Sequence, residues 1–162
     1  MPEAARPTEA VRRQVEDLLH AVARAIDDDR LEAFPEFFAP DGTYRVMSRF
    51  NHERGLPLAQ INCANRSMIV DRIASLRQAN IYAPHRYRHM ISGIEVTPMP
   101  DGSLAARANY LVVRTMEEGP SALFSSGEYR DRIVSEDGAL RFRERLVLFD
   151  SKSIETLLVI PL

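Results

Sequence analysis

The chain of 162 residues contains one cysteine, Cys63, and one lysine, Lys152. A single thiol excludes an internal disulfide framework. It equally excludes a cysteine-ligated iron–sulfur cluster or structural zinc site built by this chain alone. Such sparing use of cysteine suits a reducing compartment, so a cytoplasmic location is expected. No apolar run approaches the roughly 18 residues of a membrane span, and the opening "MPEAARPTEAVRRQVED" lacks the apolar centre of a signal peptide. The protein is therefore expected to be soluble. Also missing are a Gly-rich phosphate loop and the GxSxG, HExxH and CxxC patterns, which removes most motif-bearing chemistries. Cys63 lies in "INCANRS", without a neighbour that activates a thiol, and reads as inert.

The formal net charge of −2 lacks the basic excess of a general nucleic-acid binder. With Lys152 the sole lysine, the other 20 of the 21 basic residues are arginine. A GC-rich genome explains this bias. A protein interface also explains it, because arginine is enriched and lysine depleted where proteins meet. The length and an apolar content of 45% fit one domain with a packed core over residues 1–162, the first seven forming a frayed tail.

Val11, Val15, Leu18, Val22 and Ile26 recur at spacings of three and four, one face of an amphipathic helix. Asp29 with Glu32 three residues later resembles a capping box. It predicts a short second helix with Leu31, Phe34, Phe37 and Phe38 inward. Pro40-Asp41-Gly42 reads as a turn and "TYRVM" as a strand, followed by a long loop over 50–61. "SMIVDRIASLRQA" carries Ile69, Ile73 and Leu76 on one stripe, with Ser67 as a cap: a third helix. The period then falls to two. Strands are predicted over 85–97, 103–116, 121–135 and 139–150, with a last short one near 154–160. Turns at 100–102, 117–120 and 136–138 separate the first four. Helices first and antiparallel strands afterwards is the α+β layout. The expectation is N-terminal helices packed on a strongly curved, mostly antiparallel sheet that wraps into a cone with a pocket inside.

The densest chemistry is "YAPHRYRHMISG", residues 82–93. On a helix begun by Pro84, His85 and His89 would share a face and grip one metal ion. Strand alternation through His85, Tyr87, His89 and Ile91 instead sets them about 13 Å apart, at roughly 3.3 Å per residue, too far for one ion. Glu144 in "LRFRERLVL" alternates with Leu140, Phe142, Leu146 and Leu148, while Arg141, Arg143 and Arg145 take the other face. A carboxylate on an apolar face either finds a buried partner among the arginines or serves as a pocket base. Tyr44 or a histidine would be its second player. The arginine stripe reads as a solvated face or as a surface that meets a partner.

Five segments carry a resemblance, by their order and spacing rather than by any one signature. They are "FPEFFAPDGTYRV", "NHERGLP", "DRIASLRQANIYAPHRYRH", "SSGEYRDRIV" and "GALRFRERLVLFDSKSIETLLVIPL". From about Val15 to Leu162 the chain resembles the small (beta) subunit of bacterial aromatic-ring-hydroxylating dioxygenases. "NHERGLP" and "ANIYAPHRYRH" look like the branch acting on aromatic carboxylates such as terephthalate or salicylate. The resemblance implies a cone of the nuclear-transport-factor-2 and ketosteroid-isomerase type. It implies a large alpha subunit carrying a Rieske [2Fe-2S] cluster and a mononuclear iron, commonly as three alpha and three beta chains, with association between beta chains. It also implies a beta chain that is structural, with no catalytic, cofactor or metal residue of its own. The other reading is a stand-alone isomerase or dehydratase on the same cone. There Glu144 or Asp41 acts as base, and Tyr44, His85 or His89 polarises the substrate.

Overall fold

The hydroxyl of Thr8 accepts from the Val11 amide at 3.2 Å and supplies one of the partners that a helix start lacks. In the computed structural model, which describes residues 6–78, 82–154 and 158–162, this cap opens α1 (Glu9–Asp27). Val15, Leu18, Leu19, Val22, Ala25 and Ile26 form its buried stripe. The expected capping box does not form. Asp29 has φ +58°, and its carboxylate reaches Arg77 at 3.0 Å while Glu32 reaches the same guanidinium at 2.7 Å. A 3-10 helix, Leu31–Phe37, follows instead, with no side-chain cap. Pro35 inside it has no N–H to give and would clash with the carbonyl an α-turn back. Leu31, Phe34 and Phe38 are buried as expected, and Phe37 is partly so.

Pro40-Asp41-Gly42 makes no turn: all three lie within β1 (Phe38–Ser48), where pairing to the neighbouring strand slips between Phe38 and Thr43. Gly42 is required there, since a Cβ would stand 2.7 Å from the Phe142 carbonyl oxygen. The expected loop over 50–61 begins as a short helix, α2 (Arg49–Glu53), capped by the Ser48 hydroxyl on the Asn51 amide. Strand β2 (Ile61–Cys63) and helix α3 (Arg66–Gln78) come next. Ile69, Ile73 and Leu76 of α3 are buried as expected, but Asn65 rather than Ser67 caps it, accepting from the Met68 amide at 3.0 Å.

Strands β3 (His85–Pro98), β4 (Leu104–Met116), β5 (Ser121–Glu136) and β6 (Ala139–Phe149) match the four expected hairpin strands. The sheet order is β2-β1-β6-β5-β4-β3, antiparallel except for the β1–β6 pair. Of the expected final strand near 154–160, residues 155–157 lie outside the described residues, and the described Ile154 and 158–162 pair with no strand. Leu158, Val159, Ile160 and Leu162 are instead buried in the main core with α1, α3 and one face of the sheet, here called the inner face. Met47, Leu146 and Leu148 form a separate small cluster with Ala59 on the outer face.

At Gly127 of β5 an added Cβ would fall 1.9 Å from the Leu148 carbonyl oxygen. Gly127→Ala is expected to destabilise by about 3 kcal/mol, the upper part of the overpacking range, because a backbone atom must move. Equilibrium denaturation with urea measures it.

Candidate functional site

The residues singled out for chemistry do not converge. Tyr44 is fully buried on the inner face, its ring edge-on to Phe34 and Phe38. Its hydroxyl donates to the Leu162 carbonyl at 3.2 Å and accepts from the Leu162 amide at 3.0 Å. Burial pushes its pKa well above that of a free tyrosine. This hydroxyl is a clamp on the C-terminal segment.

Glu144 is exposed and faces outward, contrary to the alternation that placed it with Phe142. Arg132 pairs with Glu144 and Ile133 with Phe142, so Arg143 is an extra residue in β6. One inserted residue reverses which face every later side chain takes. Phe142 points inward, Glu144, Leu146 and Leu148 outward, and Arg145, Val147 and Phe149 inward. The arginine stripe is therefore broken. Arg143 is exposed, Arg141 donates to the Glu36 carbonyl, and Arg145 is 2% exposed.

Arg145 pairs with Asp131 of β5 at 2.9 Å, both side chains 1% exposed, and its guanidinium lies 3.8 Å over the Tyr129 ring. Burial raises the Asp131 carboxyl to about 7, against the pull of Arg145. A buried acid with a raised pKa is a familiar signature of catalysis. Here one carboxylate oxygen is on Arg145 and the other, with Arg145 Nε, is buried without a partner. The pair was missed because its two members stand 14 residues apart on different strands, and only the bulge brings Arg145 inward.

His85 and His89 lie on β3, both facing inward with Tyr87 between them; the ring centroids are 5.2 and 6.2 Å from that of Tyr87. His85 Nδ1 donates to the Ala83 carbonyl at 2.8 Å. His89 Nδ1 donates to Asp27 at 2.6 Å, and the second Asp27 oxygen accepts the His89 backbone amide at 2.9 Å. Because β3 is an edge strand, its outward amides lack a ladder partner, and Asp27 at the end of α1 supplies one. Among the described residues no group of three or more His, Cys, Asp or Glu is placed to hold a metal ion. Asp41 is exposed within β1. Cys63 is buried, which pushes its thiol pKa up.

A cleft of about 580 Å³ remains between the end of α1, the start of β3 and the C-terminal segment, lined in part by Asp27, Tyr82, His85, Tyr87 and Ile160. On the outer face Glu128, 3% exposed, takes Arg107 at 2.7 Å, Arg130 at 2.5 Å and Arg49 at 3.5 Å. Burial alone would raise its pKa, but the hydrogen bonds from Arg107 and Arg130 bring it below the usual glutamate value. Arg49 also holds Asp150 at 3.1 Å and so ties α2 to the sheet.

Residues 8–146 match the model of the SnoaL-like domain family. Over 137 residues the chain is 40% identical to the anthranilate 1,2-dioxygenase small subunit of Burkholderia cepacia, covering 85% of each. Over 142 residues it is 38% identical to the terminal oxygenase component subunit beta 1 of terephthalate 1,2-dioxygenase from Comamonas sp, covering 88% of this chain and 92% of that one. A crystal structure from Novosphingobium aromaticivorans, described as the beta subunit of an aromatic-ring-hydroxylating dioxygenase, superposes with a TM-score of 0.86 at 33% identity. It covers 95% of this chain and 98% of the other. The helices on a curved, mostly antiparallel sheet, the length of the match and the names of these relatives agree. The chain belongs to the SnoaL-like domain family and, within it, to the small subunits of aromatic-ring-hydroxylating dioxygenases.

Proposed function

We propose that the chain is the non-catalytic small subunit of such an oxygenase and acts by docking to a large subunit that runs the chemistry. The large subunit would hold a Rieske [2Fe-2S] cluster and a mononuclear iron. Neither group suits the residues present here. A Rieske centre needs two cysteines and two histidines, whereas the chain has one cysteine. His85 and His89 lie four apart on one strand, bonded at Nδ1 to Ala83 and Asp27, and belong to no group of three potential metal ligands among the described residues. The observation that carries the proposal is the state of the inner face: Tyr44 is occupied by Leu162, His89 by Asp27 and Asp131 by Arg145. His85, whose Nε2 is buried without a partner, lines the cleft with Asp27, Tyr82 and Tyr87, but Tyr44, Asp41, Asp131 and Glu144 do not line it.

The proposed assembly is three large and three small chains, with contacts between small chains, in the cytoplasm. The proposed substrate is an aromatic compound bearing a carboxylate. No helix of the described residues is long and apolar enough to cross a membrane. Co-expression with a candidate Rieske-type large subunit, followed by native mass measurement, tests the assembly. A complex of both chains in equal number is expected, and two chains that never copurify contradict it.

Within the complex, His85→Ala and His89→Ala are expected to lower stability or yield of assembly. His89→Ala should cost about 1–3 kcal/mol, because it strips Asp27 of a buried donor. Turnover per assembled, iron-replete complex should stay within about twofold of the parent. Steady-state rates normalised to iron content check this, and an assembled, iron-replete complex without turnover would refute the structural role.

A further inference from the structure

We propose that the outer face of the sheet, from an arginine-lined groove to the loop holding Leu56 and Leu58, is the seat for an acidic segment of the large subunit. The inference rests on the subunit reading above and adds where the docking takes place and what chemistry it uses. The groove, of about 420 Å³, crosses β1, β6, β5, β4 and β3, and its charged rim is Arg45, Arg107, Arg130 and Arg132 against Glu95 and Glu144. The cross-strand pairs Arg107–Arg130, Arg132–Glu144, Arg45–Leu146 and Glu95–Arg107 put all of these on the outer face.

Guanidinium groups outnumber carboxylates there, and they are not all satisfied. Arg107 and Arg130 are committed to Glu128 beneath them. Arg132 Nη1 is buried with no hydrogen-bond partner, and neither Arg45 nor Arg132 has a carboxylate within ion-pair distance among the described residues. A buried donor without an acceptor is costly, and the exposed Arg45 guanidinium beside it can take a carboxylate arriving from outside bidentately.

The neighbouring loop offers an apolar anchor already held in place. Leu58 is 69% exposed and Leu56 40%. The loop around them is fixed by Asn51 Nδ2 on the Leu58 carbonyl at 3.2 Å, by the Leu56 amide on the Asn51 carbonyl at 2.9 Å and by the Gln60 amide on the Val46 carbonyl at 2.7 Å. Ala59 packs on the Met47, Leu146 and Leu148 cluster, and Leu146 also lines the groove, so loop and groove are continuous. An exposed leucine on an ordered loop loses little entropy on docking, which is how interface anchors gain affinity. Charge selects the occupant. Two copies of this chain meeting through the groove about a two-fold axis would set arginine against arginine, with too few carboxylates to pair them. An acidic segment of the large subunit matches the excess.

The test titrates the purified chain against the purified large subunit at low and high salt. Arg45→Glu, Arg132→Glu, their double variant and Leu58→Asp are compared with Arg12→Glu, a control on the exposed side of α1. The double variant and Leu58→Asp are expected to raise Kd by about tenfold or more, and Arg12→Glu to leave it unchanged. Salt is expected to weaken the parent more than the double variant. If Arg132→Glu does not fold, Arg45→Glu and Leu58→Asp, both at exposed positions, decide the matter. Folded variants with parental Kd overturn the docking site while leaving the subunit reading intact. Variants that separate copies of this chain without touching large-subunit binding also overturn it. A parent chain that binds no large subunit overturns both.

Discussion

Arg145→Met is expected to cost about 3–5 kcal/mol at pH 8, the range for removing one partner of a buried ion pair. Both members are 1% exposed, so the carboxylate left behind is barely reached by water. The loss should be smaller at pH 5, and the sign follows from linkage. Burial already raises the Asp131 carboxyl to about 7 with Arg145 present, and without Arg145 it rises further. A group whose folded pKa lies above its unfolded value adds stability below the unfolded pKa, near 3.9. That contribution is lost as pH climbs through the folded value. At pH 5 the stranded group is protonated and needs no cation. Part of the cost persists there, because the guanidinium also packs on Tyr129 and Phe142. The double variant Asp131→Leu/Arg145→Met should recover most of the stability at pH 8, since an apolar pair replaces a buried ion pair with little penalty. Urea denaturation of the three proteins at both pH values tests this. A single variant equally unstable at pH 5 and pH 8 would show that lost packing, not charge, dominates.

Deleting residues 158–162 is expected to abolish cooperative folding. Leu158, Val159, Ile160 and Leu162 are each 7% exposed or less. Burying an aliphatic side chain is worth roughly 1.5–3 kcal/mol, so four of them rival the whole stability of a typical domain, about 5–15 kcal/mol. The deletion also strips Tyr44 of both its hydrogen bonds and Arg72 of its bond to the Leu158 carbonyl. Tyr44→Phe is the mild form of the same change. It leaves the buried Leu162 amide unpaired and should cost about 1–3 kcal/mol with folding retained. A truncated protein that melts cooperatively near the parental temperature would show that this segment is dispensable.

The helices and hairpins were legible because they depend on local period. The stripe of α1, the Ile69–Ile73–Leu76 stripe of α3 and the turns at 100–102, 117–120 and 136–138 all read through. What failed depends on partners far along the chain. Asp29 and Glu32 have the spacing of a capping box, yet both carboxylates are drawn to Arg77, more than forty residues away. Pro40-Asp41-Gly42 has turn composition, yet the same residues suit a slip in pairing between β1 and β6. The extra residue at Arg143 leaves no mark in composition, but it exchanged the roles of Glu144 and Arg145 and with them the candidate pocket base. Family membership was legible because it lies in the order of many segments. The face each side chain takes was not.

The most direct measurement compares the purified 18.4 kDa chain with its complex with the large subunit, assaying bound iron and turnover of an aromatic carboxylate side by side. The expected result is reductase-dependent turnover and iron in the complex, and neither stoichiometric iron nor turnover in the chain alone. Turnover of a small substrate by the isolated chain, or one iron bound per chain, would contradict it.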